Sequence, residues 1–139
     1  MILITRASGT VGSEVVKRLS VQGIHARALT RDVAKVEADQ FPHVEFVQGD
    51  FDDADSIRRA CSGVEQAFLL SNSTERAEHR QTAFVEAART SGVRHIVKLS
   101  QLHADVNSAG RFLRYHAAVE TAIEATNLTF TFLRPNLYI

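Results

Sequence analysis

Short apolar segments alternate with amphipathic segments along the whole chain of 139 residues. The apolar segments of four or five residues are typical of strands, and the segments between them carry apolar residues at helical spacing. The predicted strands are 2–5, 25–29, 44–48, 66–70, 95–99 and 129–133, and the predicted helices are 11–21, 32–39, 54–61, 74–91 and 110–126. Strands that alternate with helices form a parallel sheet covered on both faces. The alternation therefore predicts a doubly wound α/β fold with strand order 3-2-1-4-5-6.

Small residues mark the ends of several predicted helices. Gly23, Gly63 and Gly92 each follow a helix and precede a strand, where a residue that tolerates positive φ can turn the chain. Asn127 is predicted to play the same part after the last helix.

Composition restricts the classes of partner and compartment. The 16 basic and 16 acidic residues cancel and alternate along the predicted helices, so no direct contact with nucleic acid is expected. Cys61 is the only cysteine, and its place on an apolar helix face predicts a packing role. Because there is no signal-peptide pattern and no apolar run of about 18 residues, we expect one cytoplasmic domain with no membrane contact. We also expect no metal site.

The first strand leads directly into a loop that contains glycine, from Arg6 to Gly12. Gly9 and Gly12 lie where the strand passes to a helix N-terminus, whose unpaired amides and positive dipole end suit a phosphate. The alternative is a plain tight turn whose glycines allow close packing of helix on strand. Arg6 occupies the first glycine position of such a loop, at a cost of ~1 kcal/mol for unusual backbone angles. Its side chain would either crowd a diphosphate or bind it.

Polar residues also follow the second and third strands, where ligands bind in this fold. Arg31 is placed to accept a ribose 2′-phosphate, which favours NADP(H) over NAD(H), and Asp32 is expected to cap the following helix. Asp50 is placed to accept a hydrogen bond from an adenine amine, with Phe51 against the ring. Asp53 is the better helix cap, which leaves Asp50 for the ligand.

The fourth and fifth strands end in similar polar groups. Leu70, Ser71 and Asn72 would run beneath the ribose and nicotinamide end, and Leu99, Ser100 and Gln101 would face the same crevice. Each polar side chain could equally satisfy loop backbone groups.

Together these segments resemble the NmrA-like branch of the atypical short-chain dehydrogenase/reductase superfamily. The resemblance spans the whole chain in order and rests on ITRASGTVGSEVV, ALTRD, VQGDFDDADSIRRACSGVEQAFLLS, VRHIVKLSQLHAD and TFTFLRPNLYI. It implies an NAD(P)-binding Rossmann domain. Within the family are reductases of quinones and other small acceptors, as well as non-catalytic redox-sensing regulators, so a dinucleotide-sensing or degenerate binding module is the alternative to an NADPH-dependent reductase.

The resemblance also implies which residues bind the cofactor. It assigns the diphosphate to the glycine-containing loop, the 2′-phosphate to Arg31 and the adenine to Asp50 with Phe51. With the residues at the other strand ends, the candidate cofactor-binding set is Thr5, Ser8, Gly9, Thr10, Val11, Gly12, Arg31, Asp50, Phe51, Leu70, Ser71 and Ser100.

Catalytic candidates are fewer. Related reductases carry a Tyr-x-x-x-Lys pair on the helix after strand five, and the corresponding positions here are Phe112 and His116. His116 could bond a ribose or act as an acid, and Tyr115 is the other candidate. About 100° separates neighbours on a helix, so only one of the two is expected to point into the crevice. A quinone reductase does not require the tyrosine, because water can supply the proton.

The resemblance further implies a substrate-covering region after the sixth strand, since proteins of this family are about twice as long. The 139 residues would then form a truncated Rossmann domain that lacks this region. They would be a fragment, a shortened reading frame, or a chain whose pocket a homodimer completes.

Overall fold

The computed structural model describes residues 1–136, so the last three residues of the LRPNLYI motif lie outside the description. Within residues 1–136, six strands and four α-helices alternate. The strands are β1 (Ile2–Ile4), β2 (Ala26–Thr30), β3 (Val44–Gln48), β4 (Gln66–Leu69), β5 (His95–Leu99) and β6 (Thr129–Leu133). The helices are α1 (Thr10–Val21), α2 (Ala54–Cys61), α3 (Ala77–Thr90) and α4 (Arg111–Glu124).

All six strands pair in parallel, in the order β3-β2-β1-β4-β5-β6. This is the predicted doubly wound sheet, and its order reverses between β1 and β4. There Ile2 pairs with Ala26 of β2 on one side and with Gln66 of β4 on the other. In an open parallel sheet this switch point leaves a crevice at the carboxyl ends of the strands.

Successive residues of each strand face opposite sides of the sheet, and both sides are covered around the inner strands. Leu3 faces a large cluster that includes Ile57 of α2, Phe84 of α3 and Val119 of α4. Its neighbour Ile4 faces a smaller cluster built around α1. Burial on both faces explains why these strands are nearly continuous apolar runs. No helix within residues 1–136 is long and apolar enough to cross a bilayer.

A buried threonine joins the two halves of the sheet at the switch point. The Thr5 hydroxyl lies 2.9 Å from the Phe68 carbonyl and 3.0 Å from the Leu70 carbonyl, and it accepts a hydrogen bond from the Leu70 amide at 2.9 Å. The side chain is fully buried. Thr5 therefore satisfies backbone groups where β1 and β4 end.

The predicted helix over 32–39 is wrong. Two short 3-10 turns, Val33–Lys35 and Ala38–Gln40, connect β2 to β3 instead, and neither contains a buried residue. So short a helix is not stable in water without an apolar face packed on the core. The other predicted elements are present, with α3 beginning at Ala77 rather than at 74.

The glycine predictions are confirmed, since Gly23, Gly63 and Gly92 have φ values of 70°, 75° and 94°. Asn127 is not among the positive-φ residues of the described chain, so its predicted role is wrong. The Thr126 hydroxyl instead donates to the Ile123 carbonyl at 2.6 Å and accepts from the Leu128 amide at 3.1 Å. Cys61 is buried as predicted, and burial raises the pKa of its thiol to about 11.

Candidate functional site

Two adjoining cavities occupy the crevice at the switch point, with volumes of about 180 and 210 Å³. Arg6, Ser71 and Asn72 line both. Among the predicted residues, Ser8, Gly9, Arg31, Asp50 and Phe51 line the first cavity, and Val11, Leu70, Ser100, Tyr115 and His116 line the second. The structure thus brings most of the predicted site together. Thr5, Thr10 and Gly12 do not line either cavity.

The loop after β1 turns at Arg6, which has a φ of 48°. This is the left-handed region, which favours glycine. It agrees with the prediction that Arg6 occupies a glycine position with unusual backbone angles. The Arg6 carbonyl accepts a hydrogen bond from the Gly9 amide at 3.0 Å, and Gly9 is the N-cap of α1. The first amides of a helix have no partner within it, so α1 begins with unpaired donors next to Gly9, which lines the first cavity.

The Arg6 side chain folds back over this loop. A Cβ added at Gly9 would lie 2.8 Å from Arg6 Nη1, so the guanidinium lies directly over Gly9. Gly12 is closed in by the main chain, because a Cβ there would lie 2.9 Å from the Arg6 carbonyl carbon and nearer still to its oxygen. Arg6 therefore places a fixed positive charge between the two cavities, beside the start of α1.

The loops after β2 and β3 form the other side of the first cavity. Arg31 is exposed at its edge, and the Asp32 carboxylate accepts from the Ala34 amide at 3.0 Å, which confirms the cap, although of a 3-10 turn. The Asp53 carboxylate caps α2 by accepting from the amides of Asp55 and Ser56, as predicted.

Asp50 is exposed at the first cavity, where one carboxylate oxygen accepts from the Asp52 amide at 2.8 Å. Phe51 contacts Phe84 edge to face, with ring centroids 5.9 Å apart. The loop is also tied to α3, since the Asp52 carboxylate accepts from Arg80 at 2.8 and 3.1 Å and from Arg76 at 3.1 Å. The Arg80 hydrogen bond is the main cause that lowers the pKa of Asp52 to about 2.

The second cavity contains an unsatisfied polar group. Ser100 is 2% exposed, and its hydroxyl is the only buried side-chain oxygen or nitrogen within residues 1–136 without a hydrogen-bond partner. Buried hydroxyls are normally paired. A hydroxyl that lines a cavity and has no protein partner is suited to a polar ligand.

His116 and Tyr115 both line this cavity, although their neighbouring positions on the helix suggested that only one would face the crevice squarely. Their rings lean together, with centroids 4.1 Å apart and planes 31° apart. Phe112 lies one turn earlier and contacts both rings edge to face. Burial is the main cause that lowers the pKa of His116 to about 3, so the ring is neutral.

Lys98 lies beneath this cavity and was not among the predicted site residues. It is fully buried on β5, where Nζ lies 2.8 Å from Gln81 Oε1 of α3 and 2.9 Å from His116 Nδ1 of α4. Burial lowers the pKa of Lys98 to about 7, and Glu120 acts in the opposite direction. The available signal was a lysine between the apolar residues Val97 and Leu99 of β5.

An ion pair closes the far side of the Lys98 cluster. Arg134 follows β6 and donates to both carboxylate oxygens of Glu120, at 2.9 and 2.7 Å. Glu120 is buried on α4, one turn after His116. The pair fixes the chain after β6 against the helix that carries His116.

The donor set fits a dinucleotide. Arg6, Arg31 and the start of α1 supply positive charge at the first cavity, and Asp50 supplies an acceptor. The unpaired Ser100 hydroxyl in the second cavity completes a crevice with polar groups at both ends.

Comparison with known proteins agrees with this geometry. The model of the NAD(P)H-binding family matches residues 7–138. The chain belongs to this NAD(P)H-binding family. The resemblance to NmrA-like atypical short-chain reductases is thereby confirmed, and the comparisons give no support to a non-catalytic module.

Two curated relatives in this family are named as reductases. The chain is 37% identical to (4-alkanoyl-5-oxo-2,5-dihydrofuran-3-yl)methyl phosphate reductase of Streptomyces griseus, covering 100% of this chain and 48% of the relative. It is 32% identical to quinone oxidoreductase 2 of Escherichia coli, covering 99% of this chain and 49% of the relative. The chain therefore spans about half the length of the curated relatives it matches.

A solved structure shares the same arrangement. Triphenylmethane reductase of Citrobacter sp. complexed with NADP(H) superimposes with a TM-score of 0.88 at 31% identity, covering 99% of this chain and 50% of that one. A similar protein with this fold therefore holds NADP(H).

Proposed function

We propose that this chain is the cofactor-binding part of an NAD(P)H-dependent reductase that acts on quinone-like or other small aromatic acceptors. The observation that carries the proposal is the pair of cavities joined at Arg6, Ser71 and Asn72, at the switch point of an NAD(P)H-binding sheet. The two curated relatives and the solved structure described above are named as reductases or oxidoreductases, which supports the same activity.

The first cavity suits the adenosine half of the cofactor. Arg31 is positioned to bind a 2′-phosphate, Asp50 to accept from an adenine amine and Arg6 to neutralise the diphosphate. The second cavity suits the nicotinamide and the acceptor, because Phe112, Tyr115 and Pro135 give it aromatic and apolar walls. The reduced nicotinamide supplies the hydride, and the protein residues orient the two reactants and exclude water.

The activity is tested by NADPH oxidation. Purified protein and a panel of quinones should give turnover above the rate without protein, measured at 340 nm. A protein that binds NADPH by calorimetry yet turns over none of these acceptors would contradict the reductase proposal. Failure to bind NADPH, NADP or NAD would contradict the cofactor site as well.

We further propose a preference for NADPH over NADH, carried by Arg31. The Arg31→Ala variant should bind NADPH about 5- to 150-fold more weakly, since a hydrogen bond to a charged group contributes ~1 to 3 kcal/mol. NADH, which has no 2′-phosphate, should lose far less affinity. Calorimetric titration of both cofactors measures the difference.

Arg59→Ala is the matched control for this variant, because Arg59 is an exposed arginine on α2 that lines neither cavity. It should bind both cofactors as the unmodified chain does. Equal losses of NADPH and NADH affinity in Arg31→Ala would refute the role of Arg31.

A further inference from the structure

The buried Lys98 has hydrogen-bond partners for all three protons of an ammonium group. Nζ lies 2.8 Å from Gln81 Oε1, 2.9 Å from His116 Nδ1 and 3.4 Å from the Leu99 carbonyl oxygen. The two oxygens can only accept, and Nδ1 accepts when the ring proton is on Nε2. A buried ammonium is thus held entirely by neutral groups.

The side chains that face Lys98 come from two helices. Gln81 faces Lys98 from α3, and His116 and Glu120 face it from α4. Arg134, which follows β6, occupies both oxygens of Glu120. Glu120 therefore attracts the charge of Lys98 while its own hydrogen bonds are made to Arg134.

The Lys98 to His116 contact permits a second arrangement of protons. A neutral Lys98 amine can donate to Gln81 and Leu99 and accept from His116 Nδ1–H, so that the ring proton moves from Nε2 to Nδ1. Both arrangements keep all three contacts. Because the Lys98 contact uses Nδ1, Nε2 is the ring nitrogen left to meet a ligand in the second cavity.

We propose that His116 donates a proton from Nε2 to the acceptor as it is reduced, while Lys98 passes its own proton to His116 Nδ1. This deepens the proposed function and rests on it. A quinone carbonyl carbon or ring gains the hydride supplied by reduced nicotinamide, its oxygen gains the Nε2 proton, and Lys98 becomes a neutral amine. When the product leaves, water in the open cavity returns a proton to Nε2, and the Nδ1 proton returns to Lys98. His116 is then the catalytic residue, and Lys98 supplies the proton that His116 Nδ1 receives.

A Lys98 pKa of about 7 supports this role, because a proton donor works best when its pKa lies near the working pH. The neutral ring of His116 is equally required, since an imidazolium could not accept from Lys98.

The first test needs no cofactor and no turnover. Protein labelled with ¹⁵N in histidine is titrated by NMR from pH 5.5 to 9, with the His116→Gln variant identifying the signal. His116 should carry its proton on Nε2 at low pH and on Nδ1 at high pH, with a midpoint near 7. Lys98→Met should abolish the switch. A single tautomer throughout, or conversion to imidazolium near pH 6.5, would overturn the proposal.

The second test separates proton delivery from hydride transfer. A quinone needs a hydride and a proton, whereas a triarylmethyl cation dye needs only the hydride. The ratio of the quinone rate to the dye rate should fall about 10²- to 10⁴-fold in His116→Gln and fall in Lys98→Met as well. His79→Gln is the control, because His79 is an exposed histidine on α3 that lines neither cavity, and its ratio should not change.

The outcomes of the two tests are distinguishable. Equal falls in both rates would mean that His116 only maintains the fold of the cavity, which overturns its role as a donor. If the unmodified protein reduces neither acceptor, the reductase proposal fails, while the tautomer titration still decides whether Lys98 and His116 exchange a proton.

Discussion

Gly12→Ala is expected to lower the free energy of unfolding by about 2 to 3 kcal/mol, although alanine is the better helix former. Helix propensity alone predicts a gain of about 1 kcal/mol. The main chain opposes it, because the new Cβ would overlap the Arg6 carbonyl oxygen and lie 3.1 Å from the Ala7 Cα. Neither atom can rotate away, so the loop or the start of α1 must shift, as in an overpacked core.

Gly110→Ala is the matched control for this experiment. Gly110 precedes α4, and the nearest atom to an added Cβ is the Ser108 hydroxyl oxygen at 3.7 Å, an ordinary contact. Its unfolding free energy should change by about 1 kcal/mol or less. Urea unfolding measures both variants, and a Gly12→Ala protein as stable as Gly110→Ala would contradict the close packing of α1 on the loop.

Lys98 is expected to make the fold more stable as the pH rises from 7 to 9. Its pKa is about 7 in the folded chain, against 10.5 for a lysine in water, so over this range the unfolded chain binds the extra proton. Stability therefore rises by up to 1.4 kcal/mol per pH unit, or about 2 kcal/mol in all. The slope should vanish in Lys98→Met, where there is no proton to lose.

Lys17→Met serves as the control, because Lys17 is an exposed lysine of α1. It should keep the pH dependence of the unmodified chain. The raised pKa of Cys61 lowers stability above about pH 9, and this effect cancels when the variants are compared at each pH. Parallel curves for Lys98→Met and Lys17→Met would show that the Lys98 amine titrates normally despite its burial.

The strand and helix pattern could be predicted because the inner strands are largely buried on both faces and the α-helices cover those faces. The segment 32–39 shows the limit of such a prediction. Its residues have helical spacing, but nothing in the sequence indicates that the turns after β2 would lie outside the core. The prediction that Asn127 turns the chain was wrong for a related reason. The Thr126 hydroxyl ends α4 through its own hydrogen bonds, so no left-handed residue is needed.

The sequence could predict only those site residues that lie just after a strand. Arg31 and Ser100 directly follow strands and Ser71 lies two residues after one, so the rule for parallel sheets places them at the crevice. Gln81 lies inside a helix and Lys98 inside a strand, and they meet His116 only through the packing of α3 and α4 on β5. Gln81 and His116 are 35 positions apart along the chain, so no local sequence pattern could predict that both contact Lys98.

The hydroxyl of Thr5 has a consequence for how the molecule assembles. It joins β1 to β4 across 63 positions of sequence, whereas β1 with α1 and β2, and β4 with α3 and β5, are local units. Contacts of such long range carry the larger loop-closure entropy and form late in folding. A dinucleotide that contacts the loop after β1 and the loop after β4 would bridge the two halves of the sheet across the β1–β4 pairing, which forms late. Saturating cofactor should then slow the separation of the two halves, and with it the rate of unfolding.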